Sequence, residues 1–193
     1  MSEIFGLDTR QAYLVLLGLI IVERVGELIV SRRNLRRALA RGGIEAGDGH
    51  YPWMVALHTA FLIACPAEVY LLGRPFRPAL AAAALAVVCL AMALRYWAVA
   101  ALGPRWTTRV IVLPGEAPVT TGPYRFLRHP NYLAVVLEIL ALPLVHGAWA
   151  TALLFSALNG LLLRTRIRTE EEALERHSAY SASFLDKPRL IPR

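Results

Sequence analysis

The chain is poor in charge for its size. Only 18% of its 193 residues are Asp, Glu, Lys or Arg, and acids are outnumbered 14 to 21. A soluble domain of this length needs more charge than that to cover its surface. Cysteine is nearly absent. Cys65 and Cys89 both sit inside apolar stretches, so neither a disulfide nor a metal pair is suggested. No Gly-x-Gly-x-x-Gly loop occurs, and no basic run alternates with aromatics, which sets nucleic acid aside as the reason for the basic excess. Met1 to Arg10 has no basic n-region and no cleavage site follows it, so a removable signal peptide is not expected. Repeats and low-complexity segments are missing as well.

What the chain has is apolar bulk: 56% hydrophobic residues and a mean hydropathy of +0.48, with a formal charge of +7. That pairing suggests membrane spans with basic loops on an anionic membrane face. Five segments approach the roughly 20 residues a span needs: about 11–30, 51–72, 78–102, 130–145 and 148–163. The last two are short, and His146-Gly147 between them reads as the turn of a helical hairpin. The expected fold is therefore an all-α integral membrane domain of about five transmembrane helices, followed by a charged helix from Arg166 to about Ser181. Three basic regions, Arg32 to Arg41, Arg105 to Arg128 and Arg164 to Arg193, fall on one side if the crossings number five. The positive-inside rule then puts the N-terminus outside and the C-terminus in the cytoplasm, in the inner membrane. Gly103-Pro104 should stop the third helix and Pro130 open the fourth. Arg109 to Leu113 reads as a short extended segment between turns.

Two clusters carry candidate chemistry. The first is Gly122-Pro-Tyr-Arg-Phe-Leu-Arg-His-Pro-Asn-Tyr132. It is either a basic loop entering a membrane helix at a proline, or a polar pocket. In the second reading His129, Tyr132 and the free N–H groups of a helix start face an anion such as a carboxylate. The second cluster is Arg164-Thr-Arg-Ile-Arg-Thr-Glu-Glu-Glu172. Its plain reading is a solvated helix with i,i+4 pairs such as Arg166–Glu170. It begins where the fifth span ends, however, so a hairpin would bring His129, Tyr132, Arg166, Glu170 and Glu171 together. Glu23, Glu27 and Arg95 lie inside spans, where charge is expensive, and are expected to pair. His50 and His58 have no Cys or carboxylate nearby, so no metal site is expected. Trp53, Trp97, Trp106 and Trp149 read as interfacial anchors.

At these two clusters the sequence resembles the isoprenylcysteine carboxyl methyltransferase family. Gly122-Pro-Tyr124, Arg128-His-Pro-Asn-Tyr132, Arg166 with Glu170-Glu171 and Leu174, and the ending Pro188-Arg-Leu-Ile-Pro192 carry the likeness, which covers about the last 75 residues. Where the family commonly has Phe-Gly after its conserved Leu, this chain has Glu175-Arg-His-Ser178. The resemblance implies an S-adenosylmethionine-dependent methyltransferase without a Rossmann domain. Its cofactor pocket would be built from the last helices and the tail (elements 103–132 and 164–193), releasing S-adenosylhomocysteine. It further implies that His129, Pro130 and Tyr132 bind the cofactor, with Tyr124 and Leu127 as further candidates. Arg166 and Glu171 would line the reacting centre with Glu170 behind them. The lipophilic substrate would enter from the bilayer.

His50 to His58 looks more like bacterial relatives that stand beside type III polyketide synthases. The acceptor is thus either an isoprenylcysteine-like thioether acid or the hydroxyl of an alkylpyrone or alkylresorcinol. A carboxylate needs no base, whereas a phenol or enol must lose its proton. Two other readings compete: a phospholipid amine N-methyltransferase, since such enzymes look similar in the C-terminal region, and a small transporter or channel, supported by the charges inside spans.

Overall fold

The computed structural model describes residues 3–4, 7–178, 180–184 and 186–190. A two-residue strand pair, β1 (Glu3–Ile4) and β2 (Leu7–Asp8), precedes the first helix. Five long helices follow: α1 (Thr9–Ala40), α2 (Tyr51–Leu71), α3 (Pro78–Leu102), α4 (Pro130–Leu144) and α5 (Trp149–His177). Strands β3 (Ile44–Ala46) and β4 (Val110–Val112) pair antiparallel, and a short α6 (Tyr180–Phe184) leads into the tail.

The helix starts follow local rules. Asp8 and Gln11 close a capping box on α1. Proline stands in the first turn of α2, α3 and α4, where its missing N–H costs nothing. The start of α5 has no cap of its own. Glu68 of α2 reaches it instead, accepting the N–H groups of Ala150 (3.2 Å) and Thr151 (2.6 Å) while holding Arg74 (2.8 Å). Free N–H groups and the positive helix end make that carboxylate a good partner.

The five helices alternate in direction. At one end Tyr13 donates to the Leu142 carbonyl (3.1 Å) and His146 meets Thr9 (3.3 Å), so the start of α1 lies at the end of α4. At the other end Asn34 donates to the carbonyls of Trp106 (2.9 Å) and Gly103 (3.3 Å), and Ser31 meets Thr108 (2.9 Å). Between the ends, Tyr13, Leu17, Ile20, Phe61, Cys65, Val88, Ile139, Leu142 and Phe155 form one core. α3 and α4 pack most extensively. The buried stripe Ala81, Ala84, Val88, Ala91, Arg95, Ala98 is small enough for close approach to Ala134 and Ala141.

The outer surface is apolar: Leu19, Val22, Ile63, Leu90 and Leu161 are exposed, and Leu71 is 82% exposed. Two helices, Tyr51–Leu71 and Pro78–Arg105, are long and apolar enough to cross a membrane, while Pro130–Leu144 is apolar but shorter. Several sequence expectations shift. α1 runs to Ala40 rather than about Val30, because Ser31, Asn34 and Ala38 continue its buried face through the arginines. α5 is unbroken from Trp149 to His177, so the expected fifth span and charged helix are one element; no proline or glycine interrupts 161–177. It ends at His177, short of the expected Ser181. β4 realises the extended segment, but its partner β3 was not anticipated. Trp106 is buried, not interfacial, whereas Trp53, Trp97 and Trp149 are exposed.

Candidate active site

The end of the bundle that gathers the two clusters holds a cavity of about 400 Å³ that runs down between the helices. Its polar hub is Arg166 on α5. The guanidinium donates from Nε to the Tyr132 hydroxyl (2.8 Å), from Nη2 to the Thr108 carbonyl (2.6 Å) and from Nη1 to Met54 Sδ (3.1 Å). Tyr132 in turn donates to Glu170. Arg166 is buried, which opposes its charge, yet Tyr132 and Glu170 raise its pKa above the usual arginine value. The expected i,i+4 pair of Arg166 with Glu170 is thus replaced by a relay through Tyr132, which enters from α4 between them. Thr108, whose carbonyl Arg166 takes, is itself fixed by Ser31 on α1 and Tyr51 on α2 (3.4 Å). Four helices therefore position one cation.

His129 precedes α4 and is buried. Its ring stacks on Tyr132 (5.3 Å between centroids, 14° between planes), and its Nε2 meets Glu171 Oε1 at 3.2 Å. Arg189 of the tail binds the same carboxylate twice (3.0 and 2.5 Å). Burial alone would raise the Glu171 pKa; His129 and Arg189 outweigh it and hold the carboxyl at about 2. The tail is strapped on further by its backbone: Arg128 N–H donates to the Pro188 carbonyl (2.9 Å) and His129 N–H to that of Arg189 (3.0 Å). Lys187 also donates to the Tyr124 carbonyl (3.3 Å). The two N–H groups just before α4, those of Arg128 and His129, are therefore taken by the tail, while Tyr132 and Leu133 N–H donate to the His129 carbonyl. Ile191 and Pro192, the last of the quoted tail motif, lie outside the described residues.

Of the residues singled out from sequence, Tyr124, His129, Tyr132, Arg166 and Glu170 line the cavity. Pro130, Leu127 and Glu171 do not; Pro130 and Leu127 are buried behind its wall. The expected order of the two glutamates is reversed, with Glu170 at the cavity and Glu171 behind it. Neighbouring helical residues point about 100° apart, and here the rotation of α5 turns Glu170 to the cavity and Glu171 toward His129 and Arg189. Burial and the nearby Glu170 keep the Tyr124 phenol above its usual range, so it stays protonated.

The residues that line this one cavity fall into two regions, or lobes, and Arg166 lines it with both. One lies under β4 and the following loop, walled by Val119, Tyr124, Asn131, Leu174, Tyr180 and Phe184. There the Tyr180 hydroxyl and Asn131 Oδ1 are buried with no hydrogen-bond partner among the described residues. The other descends between α1, α2, α4 and α5 past Met54, Val55, His58, Val135 and Leu162. It ends on charges: Arg95 pairs with Glu138 (2.7 Å) and Glu27 (3.6 Å), and Arg24 reaches Glu23 (2.9 Å), Glu27 (2.5 Å) and Glu138 (3.4 Å). Glu138 was missed from sequence. The signal was there, a lone carboxylate in the otherwise apolar Pro130–Leu144. Among the described residues no group of three or more His, Cys, Asp or Glu is placed to hold a metal.

These features define a helical protein with two helices long and apolar enough to cross a membrane and a cavity lined by residues of both charged clusters. A profile of the isoprenylcysteine carboxyl methyltransferase (ICMT) family matches residues 84–176, a stretch that holds His129, Tyr132, Arg166, Glu170 and Glu171. The chain is 40% identical over 165 residues to the uncharacterized protein YpbQ of Bacillus subtilis (strain 168), covering 85% of this chain and 97% of that one. It is 28% identical over 156 residues to an uncharacterized protein of Haemophilus influenzae, covering 80% and 90%. The chain belongs to the isoprenylcysteine carboxyl methyltransferase family, a family of membrane methyltransferases.

Proposed function

We propose that the protein is an S-adenosylmethionine-dependent O-methyltransferase for a lipophilic acceptor that enters from the bilayer. The observation that carries this reading is the junction of the two lobes at Arg166, Tyr132 and Glu170. The lobe under β4 takes the cofactor. Its aromatic walls suit an adenine ring, and the unpartnered Tyr180 hydroxyl and Asn131 Oδ1 are a donor and an acceptor for a ligand with polar edges. His129 and Tyr132 form its inner wall, with Glu171 and Arg189 keeping His129 and the tail in place. When bound, S-adenosylmethionine supplies an electrophilic methyl group on a sulfonium.

The lobe between the helices takes the acceptor. Its apolar walls receive an alkyl or prenyl chain, and Arg166 holds the accepting oxygen as negative charge gathers on it. Tyr132 and Glu170 fix the plane of that guanidinium, so the two reactants meet in a set geometry, an effect that can supply several kcal/mol. The acceptor oxygen belongs to a carboxylate or to a phenol or enol. Five helices cross the inner membrane, with the site and the basic loops on the cytoplasmic side.

The test is calorimetric titration of S-adenosylhomocysteine into the purified protein in detergent and in lipid, alongside His129→Ala. Saturable one-to-one binding that the substitution weakens at least about tenfold, or about 1.4 kcal/mol, supports the reading. Folded protein that binds nothing in either medium refutes it.

A further inference from the structure

His58 lines the cavity among the helices, beside Met54, Val55 and Thr59 of the same helix. It stands on α2 one turn below Met54, the residue whose sulfur touches Arg166, which places it about 6 Å deeper along the helix. Side chains on a helix lean toward its N-terminus, here back toward Arg166. His58 Nδ1 lies 2.8 Å from the Met54 carbonyl. A carbonyl can only accept, so Nδ1 carries the proton, and in the neutral ring Nε2 is left with a lone pair. Among the described residues Nε2 makes no hydrogen bond. The charged groups around the ring are Arg95 of α3, Glu138 of α4 and Arg24 of α1, with Glu27 of α1 one contact further. Two guanidiniums thus face the ring against one carboxylate; with Glu23 and Glu27, which pair with those guanidiniums further from the ring, the whole cluster has three carboxylates and two guanidiniums, a formal charge of −1.

We infer that His58 Nε2 is the general base for a hydroxyl acceptor held under Arg166, so that the acceptor enters as a neutral phenol or enol. The inference rests on the methyltransferase reading above. In the step, the acceptor O–H bond breaks and its proton goes to Nε2. The oxygen pair forms the bond to the methyl carbon as the sulfur–carbon bond breaks, and that pair stays on sulfur, leaving a neutral thioether. The new imidazolium then gives its proton to water. A carboxylate acceptor, already ionised, would have no proton for Nε2 to take.

The experiment uses His58→Asn, whose amide can keep the bond to Met54, and His58→Gln as a second variant. Each is titrated with S-adenosylhomocysteine, then assayed with S-adenosylmethionine and a set of dodecylphenols whose ring substituents vary the hydroxyl acidity. A nitro-substituted dodecylphenol, whose phenolate absorbs visibly, is also bound in the presence of S-adenosylhomocysteine without turnover. Expected are cofactor affinity equal to that of the wild type and a loss of transfer of about 100-fold or more for the least acidic phenol. That loss shrinks for acidic phenols and at high pH, and the phenolate band seen with wild type below the free probe's midpoint disappears. A loss independent of phenol acidity, no loss, or wild type that binds S-adenosylhomocysteine but transfers to no phenol would overturn the assignment of His58 alone. Wild type that binds no S-adenosylhomocysteine would overturn the methyltransferase reading and this inference with it.

Discussion

Replacing Arg95 tests whether the charges between the helices hold the bundle together. Arg95 is buried on α3 and binds Glu138 on α4 at 2.7 Å and Glu27 on α1 at 3.6 Å. Arg95→Met keeps the bulk and takes the cluster from a formal −1 to −2. Breaking a buried pair from one side costs about 3–5 kcal/mol, because the partner stays charged and desolvated. A unit charge pair at about 4 Å with an effective dielectric of 20 gives about 4 kcal/mol, in the same range. Arg24, 3.4 Å from the same Glu138 oxygen, still offers some compensation, so the lower end, about 3 kcal/mol, is expected. Adding Glu138→Gln returns the formal charge to −1 and should recover at least about half of the loss. Unfolding in mixed micelles of dodecylmaltoside with rising dodecyl sulfate measures both variants. Arg95→Met within about 0.5 kcal/mol of wild type, or a double variant as unstable as the two singles summed, would refute the pairing argument.

Tyr132→Phe removes the hydroxyl shared by Arg166 and Glu170 and leaves the ring that stacks on His129. A hydrogen bond to a charged group is worth about 1.5–3 kcal/mol, so transfer to a lipophilic acceptor should fall about 10- to 100-fold while the protein stays folded by circular dichroism. Acid should release the tail. Glu171 is held at about 2, below the ordinary carboxylate range, so its contribution is fully present above about pH 4.5 and is lost as pH falls through about 2. The loss is about 1–3 kcal/mol, reduced because Arg189 is largely exposed. Protection of the Arg128 and His129 amides, which donate to the tail, measured against the intrinsic exchange rate at each pH, should fall between pH 4.5 and 2. Glu171→Gln should show fast exchange already at pH 6.

The part of the cavity lining legible in the sequence is the part written locally. His129 and Tyr132 fall within four residues of a helix start, and Arg166 and Glu170 are one turn apart on one helix. The chain also marks the hairpin turn clearly, at Gly147 with φ 70°. Which glutamate faces the cavity was not legible, because that depends on the rotation of α5 about its axis, set by Leu163 and Ile167 packing on Tyr132. Thr108 as the backbone partner of Arg166 could not be read either. It is fixed by Ser31, 77 residues away, in a loop without periodicity. The β3–β4 pair escaped notice for the same reason: three-residue strands far apart in sequence leave no pattern longer than a turn.

The placement of charge follows from the two-lobed cavity. A cleft deep enough to admit a long apolar chain must interrupt helix packing, and α1 leaves Leu28 exposed beside it while Val55 and Thr59 on α2 line the opposite wall. Below the cleft the helices need a contact that apolar side chains alone do not specify, since hydrocarbon meets lipid as readily as it meets another helix. The Arg24, Glu27, Arg95 and Glu138 cluster supplies it, joining α1, α3 and α4 by bonds that lipid cannot replace. The same cluster forms the floor of the acceptor lobe, which limits how far a polar head can descend. On the proposed reading, an acceptor oxygen is thereby confined to the layer between this floor and Arg166, the layer in which His58 stands.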